Sequence, residues 1–371
     1  NDAFSGVKNA ISESLKDKEI SFSELLKKTD TLVYGTTRAT NAVITNKVAK
    51  TAFITTKGFK DTLVLKEGGK HKAHDFSKKY PNPFIPKKFT FEINERICSE
   101  GRVVLPLNKE EVGETINKIS SLGFESISVS LLWSIANPIH EIEIGNIISK
   151  VNSKITFSLS HKLVPIIREY RRASTTSIDA SLKPIMQNHL KDLNHKLIHE
   201  GFKGKLFVST SSGGWSEIEN IIKNPIYTLK SGPSMAPVAA KEFGNLETNH
   251  KDFIVCDSGG TTFDIGLIQN NEIKKSRDTW IGEKWTGDIS SISSVNIESI
   301  GSGGGSIAWI DNGGLLRLGP NSAGSYPGPA CYDLGGSKPT LSDAACVLGY
   351  LNPDFFLEGN IKLNIKKAEK A

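Results

Sequence analysis

The chain has 371 residues, 38% hydrophobic and 23% charged, with 33 Gly, 15 Pro and a formal net charge of +6. These proportions exclude the disordered and fibrous classes and leave room for two or three cores, at roughly 100–200 residues per domain. The surplus of Lys is scattered rather than gathered on one face, so no nucleic-acid partner is expected.

In chain order, 31–34 is a short β-prone run that stops at Gly35-Thr36-Thr37, and 51–55 is another, followed by Lys57-Gly58. Residues 66–101, rich in Pro and Lys, form a long excursion with one or two strands inside, and His71 and His74 in it carry no assigned role. Asn108 is a good N-cap with Glu111 at the capping-box position, and Val112, Ile116 and Ile119 share one face of the helix that follows. Next, 126–132 alternates Ser with Ile127, Val129 and Leu131, which predicts a strand with one apolar side. Pro138 opens another helix with Ile144, Ile147, Ile148 and Val151 inward, and a strand follows at 155–159. Repeated units of this kind imply a mostly parallel sheet covered by helices.

Residues 168–200 read as a long helical region interrupted at Pro184, with Leu190, Leu193 and Leu197 inward. A connection between two α/β halves is expected there, dividing the chain into 1–175 and 176–371. Strands at 205–210 and 252–256 follow, with a Ser/Gly turn at 211–214 between them. His195 and His199 have ligand spacing on the polar helix face but lack a third ligand, so they read as solvated surface. Cys98, Cys256, Cys331 and Cys346 form no C-x-x-C pair. They are expected to be free thiols in a reducing compartment, with Cys331 and Cys346 either two buried small hydrophobes or a metal pair. No apolar run approaches the roughly 20 residues of a membrane helix, and no signal-peptide pattern opens the chain, so a cytoplasmic protein without a membrane partner is expected.

The residues with the most chemistry are Asp257-Ser258-Gly259-Gly260-Thr261-Thr262-Phe263-Asp264, a strand, a tight Gly-rich turn and a second strand. Two glycines let backbone N–H groups approach an anion, two threonines add hydroxyl donors, and a carboxylate at either end can hold Mg²⁺ through its waters. A plain hairpin is the alternative, but it needs neither the acids nor the threonines. A second cluster, Gly301-Ser302-Gly303-Gly304-Gly305-Ser306, enters the strand 307–310 and suits close approach of a nucleotide. A flexible linker is its alternative reading. A third, Ser231-Gly232-Pro233, serves either a ligand or close packing. No G-x-x-x-x-G-K-[ST] is present, which excludes a P-loop NTPase.

The 257–264 segment resembles the phosphate hairpin of actin-like ATPases. Several further segments look like the hydantoinase/oxoprolinase family and come in that family's order: 35–42, 55–59, 168–176, 231–233, 303–308 and 327–332. Segments 66–70, 231–237 and 279–283 lean towards the ketone-carboxylase subunits of that family. The resemblance implies an α/β, two-lobe, actin-like (ribonuclease-H-like) ATPase fold with ATP and Mg²⁺ as cofactors. It also implies phosphorylation of a carbonyl or amide oxygen of a hydantoin, 5-oxoproline or ketone, and a second large subunit as partner. The implied catalytic carboxylates are Asp257, which holds Mg²⁺ through water, and Asp264. Ser258, Gly259, Gly260, Thr261, Thr262, Gly303, Gly304 and Gly305 are implied to line the nucleotide phosphates. Thr36, Thr37, Ser231 and Gly232 are cleft candidates, and Asp343 follows the family pattern without an assigned role. Family members carry an earlier phosphate loop that nothing before Thr31 supplies, and they continue past residue 371. The chain therefore reads as an internal fragment, not expected to catalyse alone. A nucleotide-driven switch or chaperone-like ATPase is the alternative from another class.

Overall fold

The computed structural model describes residues 2–68, 74–77 and 79–371. Gly69, Lys70 and His71 lie outside the described residues. The chain forms two compact units: residues 1–234 with 275–294, and residues 235–274 with 295–371.

In the first unit, β1 (Thr31–Tyr34), β2 (Thr51–Thr56) and β3 (Thr90–Ile93) precede helix α1 (Lys109–Ser121), whose N-cap Asn108 accepts from the amides of Glu110 and Glu111. Strand β4 (Ser126–Ser130), helix α2 (Ile139–Val151), strand β5 (Thr156–Leu159) and the 31-residue helix α3 (Glu169–His199) follow, then β6 (Lys205–Ser209) and β7 (Trp215–Glu217). One sheet runs β3-β2-β4-β5 with every pairing parallel, as repeated strand–helix units require. A second sheet pairs β1 parallel with β6 and β6 antiparallel with β7.

Two expectations need correction. Strand β4 has the expected apolar side, but its serine side is not open to water either, because all five of its residues are buried. Ile127 and Val129 pack with Val112, Ile116 and Ile144 of α1 and α2, while the serine side meets α3, where Ser128 Oγ lies 3.2 Å from Ser177 Oγ. A serine row is buried at low cost when its hydroxyls find partners. Nor does Pro184 interrupt the helix: α3 runs through it. Met186, Leu190, Leu193 and Leu197 are all buried in the same core, and that packing outweighs the ~3 kcal/mol a proline costs inside a helix. Position 175, where a division was expected, therefore lies inside a continuous helix.

The segment 275–294 belongs to the first unit although its sequence neighbours on both sides belong to the second. Its hairpin, Thr279–Ile281 against Asp288–Ser290, places fully buried Ile289 with Phe53, Leu63, Tyr170 and Ala173.

Helix α4 (Ser231–Glu247) leads into the second unit. There β8 (Phe253–Ser258) and β9 (Phe263–Gln269) form an antiparallel hairpin, and β10 (Ile297–Ile300) pairs antiparallel with β9. Strands β11 (Ser306–Ile310) and β12 (Leu316–Ser322) make a second hairpin, and helix α5 (Leu341–Val347) starts at a capping box between Thr340 and Asp343. Buried Cys331 and Cys346 sit with Leu363 and Ala368 in a small apolar cluster.

Candidate functional site

The β8–β9 ladder sets Asp257 directly opposite Asp264. Side chains opposite each other on one face have Cβ atoms about 4.5–5.5 Å apart, where two like charges repel. Asp257 is exposed and Asp264 is 8% exposed, accepting from Thr262 Oγ1 at 3.1 Å. Nothing in hairpin geometry calls for such a pair, whereas a cation between the two would be held by both. Among the described residues no group of three or more His, Cys, Asp and Glu side chains could hold a metal ion, so a cation here would keep most of its water, as Mg²⁺ does.

The turn itself is stapled by one bond, from the Gly259 amide to the Thr262 carbonyl at 2.9 Å. The amides of Gly260, Thr261 and Thr262 donate to no protein group among the described residues, and Ser258 through Thr261 are exposed. Successive N–H groups in a turn conformation can form an anion-binding concavity.

The two glycine clusters, far apart in sequence, are joined. Gly304 N donates to the Gly259 carbonyl at 2.9 Å, and Gly305 N to the Gly260 carbonyl at 2.7 Å. Their contact explains the glycines. A Cβ on Gly303 would lie 2.6 Å from both Gly259 O and Thr261 N, and one on Gly305 would lie 3.0 Å from Gly260 O. Gly303 and Gly305 are buried against the hairpin, and a flexible linker is excluded.

In the first unit, the cleft candidates gather at the ends of parallel β1 and β6. Ser231 Oγ, fully buried, lies 3.4 Å from both Ser209 Oγ and the Thr36 carbonyl, and a Cβ on Gly232 would sit 3.5 Å from Thr37 Cγ2. Thr36 Oγ1 accepts from the Arg38 amide at 3.2 Å, and Asn41 donates to Thr37 Oγ1 at 3.2 Å. The result is a hydroxyl-rich patch where the carboxyl ends of parallel strands meet, a position where open α/β sheets commonly bind ligands.

A third grouping has no counterpart among the sequence-based candidates. Lys66 Nζ, buried, reaches Asp288 at 2.9 Å and the carbonyls of Thr286 and Gly287 at 2.9 and 3.1 Å. Arg171 pairs with Glu67 at 2.9 Å and with Asp278, whose second oxygen accepts from Ser291 Oγ. Burial pushes the Asp288 carboxyl up, against the pull of Lys66. The signal was present in segments 66–70, 168–176 and 279–283, but sequence spacing does not reveal that they meet.

His195 and His199 are exposed on α3. All four cysteines are free, and burial, followed by the neighbouring Asp343 carboxylate, pushes the Cys331 thiol well above its ordinary value. Cys331 is thus an inert packing residue rather than a presented nucleophile. Asp343 is 2% exposed, and its carboxylate gathers the amides of Ala330, Cys331 and Thr340.

The chain is similar to known proteins along nearly its whole length. The family model described as hydantoinase/oxoprolinase matches residues 172–371, and that of the hydantoinase/oxoprolinase N-terminal region matches residues 1–152. The acetophenone carboxylase gamma subunit of Aromatoleum aromaticum is 34% identical over 99% of this chain and 51% of its own length. The ATP-dependent caprolactamase of Pseudomonas jessenii superposes with a TM-score of 0.83 at 30% identity, over 98% of this chain and 52% of that one. The nucleotide-free acetone carboxylase structure gives 0.81 at 27%, over 99% and 52%. The chain thus spans about half the length of the curated relatives it matches. Its fold is that of the actin-like ATPases.

Proposed function

The chain belongs to the hydantoinase/oxoprolinase family, and from that premise we propose that it is the ATP-using part of an enzyme that phosphorylates a carbonyl or amide oxygen of a small molecule. The observation that carries this reading is the facing pair Asp257 and Asp264 beside a turn with three amides that have no acceptor among the described residues, packed against Gly303–Gly305.

In this reading the amides of Gly260, Thr261 and Thr262 bind phosphate oxygens, with the Ser258, Thr261 and Thr262 hydroxyls as further donors. Asp257 would hold Mg²⁺ through its waters, and Asp264, fixed by Thr262, would add a second negative charge. Bound ATP supplies the phosphoryl group that turns an unreactive oxygen into a leaving group or traps an enolate. The protein's task is orientation and charge stabilisation, the two large contributions in phosphoryl transfer. The hydroxyls of Thr36 and Thr37 are suited to a carbonyl-bearing substrate, with buried Ser231 bonded to the Thr36 carbonyl.

The relatives named above are a ketone carboxylase subunit and a lactam hydrolase, so a cyclic amide or a ketone is the proposed substrate class. The acetophenone carboxylase relative is a gamma subunit and the curated caprolactamase of Pseudomonas jessenii a subunit alpha, which supports a second large subunit as partner.

The test is phosphate release from ATP and Mg²⁺ by the full-length protein with its neighbouring subunit. Hydantoin, 5-oxoproline, caprolactam, and acetone or acetophenone with bicarbonate are offered in turn, with Asp257→Ala as control. Release stimulated by one substrate and lost in the variant is expected. Release that no substrate stimulates would replace the enzyme reading with a nucleotide-driven switch.

A further inference from the structure

Asp343 is a buried carboxylate with more work than its helix needs. A capping box uses the reciprocal bonds with Thr340: Asp343 N to Thr340 Oγ1 at 3.3 Å, and Thr340 N to Asp343 Oδ2 at 2.9 Å. Beyond these, Oδ2 accepts from Thr340 Oγ1 at 2.7 Å and the Ala330 amide at 3.3 Å, and Oδ1 from the Cys331 amide at 2.7 Å. No cation pairs with it among the described residues. A buried charge held only by dipoles is costly, and its geometry therefore indicates what it is kept for.

Both stretches that Asp343 clamps lead to the glycine loop. On one side, Ser342 N donates to the Gly304 carbonyl at 2.8 Å, Ala308 N donates to Pro339 O at 2.8 Å, and Thr340 bridges to Ile307. On the other, Gly328 N donates to Ala323 O at 3.3 Å, and Ala323 N donates to the Gly305 carbonyl at 2.8 Å. Gly304 and Gly305 are the two residues whose amides hold the hairpin carbonyls of Gly259 and Gly260. The two arms therefore converge on adjacent residues of the phosphate clamp.

We propose that Asp343 is the positioning residue of the nucleotide-phosphate site: by tying the start of α5 to the Pro327–Tyr332 turn, it holds Gly303–Gly305 against the hairpin and so sets the affinity for a metal–nucleotide polyphosphate. This rests on the reading of the hairpin given above. Only a carboxylate serves all these donors. An asparagine offers one acceptor oxygen and turns an NH₂ group towards N–H groups.

The experiment compares wild type with Asp343→Asn, and with Ser342→Pro, which deletes the amide bonded to Gly304, together with the Ser342 hydroxyl, in the first helical turn, where the N–H has no intrahelical partner. Two quantities are read on the full protein: affinity for Mg·ADP by calorimetry, and amide exchange at Gly304 and Gly305 (and at Ser342 in Asp343→Asn), with Ile178 of α3 as internal reference. Both variants are expected to bind Mg·ADP about tenfold more weakly, the order of effect of one lost hydrogen bond. Exchange at Gly304 and Gly305 accelerates while Ile178 stays unchanged. If Asp343→Asn fails to fold, Ser342→Pro decides alone. A folded variant that binds Mg·ADP like wild type overturns the proposal and leaves Asp343 a helix cap. Wild type that binds no Mg·ADP overturns the hairpin reading itself, a result distinct from equal binding by wild type and variant.

Discussion

In the unit of residues 1–234 and 275–294, the sheet and its helices bury Ala52, Ile54, Ile116, Ile127, Val129, Ile144 and Ile148 completely. In the unit of residues 235–274 and 295–371, the apolar cluster comprises Cys331, Cys346, Leu363 and Ala368, while Ile254, Trp309, Ile310 and Leu316 stand exposed on its strands. One unit is held by side-chain packing, the other largely by backbone hydrogen bonds between glycine turns. The difference teaches where function can be damaged without unfolding. In the packed unit a lost polar partner is felt as stability. In the glycine unit a small displacement is felt first at the site.

The largest effect is expected deep in the packed unit. Glu141 is fully buried and accepts from the Leu131 and His161 amides at 2.9 Å each and from Ser160 Oγ at 2.6 Å, while Arg172 donates to the same Ser160 oxygen at 3.1 Å. Glu141→Ala should cost about 3–5 kcal/mol, because it leaves buried donors without an acceptor and takes away a negative charge near the buried Arg172 guanidinium. Urea denaturation reads this, and a loss below about 1 kcal/mol would break the comparison.

Asp288→Ala should cost about 2–3 kcal/mol by leaving buried Lys66 to the two carbonyls alone, somewhat under a full broken pair because Asp288 is itself penalised by burial. The same residue carries a pH signature. Its folded carboxyl lies above 3.8, so folding favours the protonated form. That contribution is complete below 3.8 and is lost as the pH rises through the raised value. Wild-type stability, relative to Asp288→Asn, should therefore fall with rising pH across that window. A relative rise would reverse the sign and refute the assignment.

Gly303→Ala moves the test to the glycine unit. The added Cβ, 2.6 Å from Gly259 O, should cost about 1–3 kcal/mol by overpacking and weaken Mg·ADP binding out of proportion to that loss. Unchanged affinity in a folded variant would separate the two glycine clusters functionally. The smallest effect belongs to exposed Leu316. Leu316→Ser should change stability by no more than about 0.5 kcal/mol by thermal melting, and a larger loss would show that this strand is packed after all.

What was legible in the sequence follows the same division. The hairpin at 257–264 and the helix after Asn108 were readable because their signals are local: glycine turn chemistry, an N-cap and a 3.6-residue period. The buried serines of β4 were not, because a Ser/Ile alternation looks the same whether water or the serine face of α3 covers it. Helix continuity through Pro184 depended on packing by Met186 and Leu190, which no local rule contains. The joining of Gly304 to Gly259, and of Lys66 to Asp288, lies in pairings across 45 and 222 positions that a single sequence does not display. Motif order suggested which segments matter, and the structure shows which of them touch.

The most direct test of the phosphate clamp replaces Mg²⁺ by paramagnetic Mn²⁺ with ADP and follows the amide resonances of the protein. The signals of Gly259–Thr262 and Gly303–Gly305 should be broadened away, and Asp257→Ala should restore them. Broadening confined to other residues, with these signals intact, would contradict the phosphate-clamp reading.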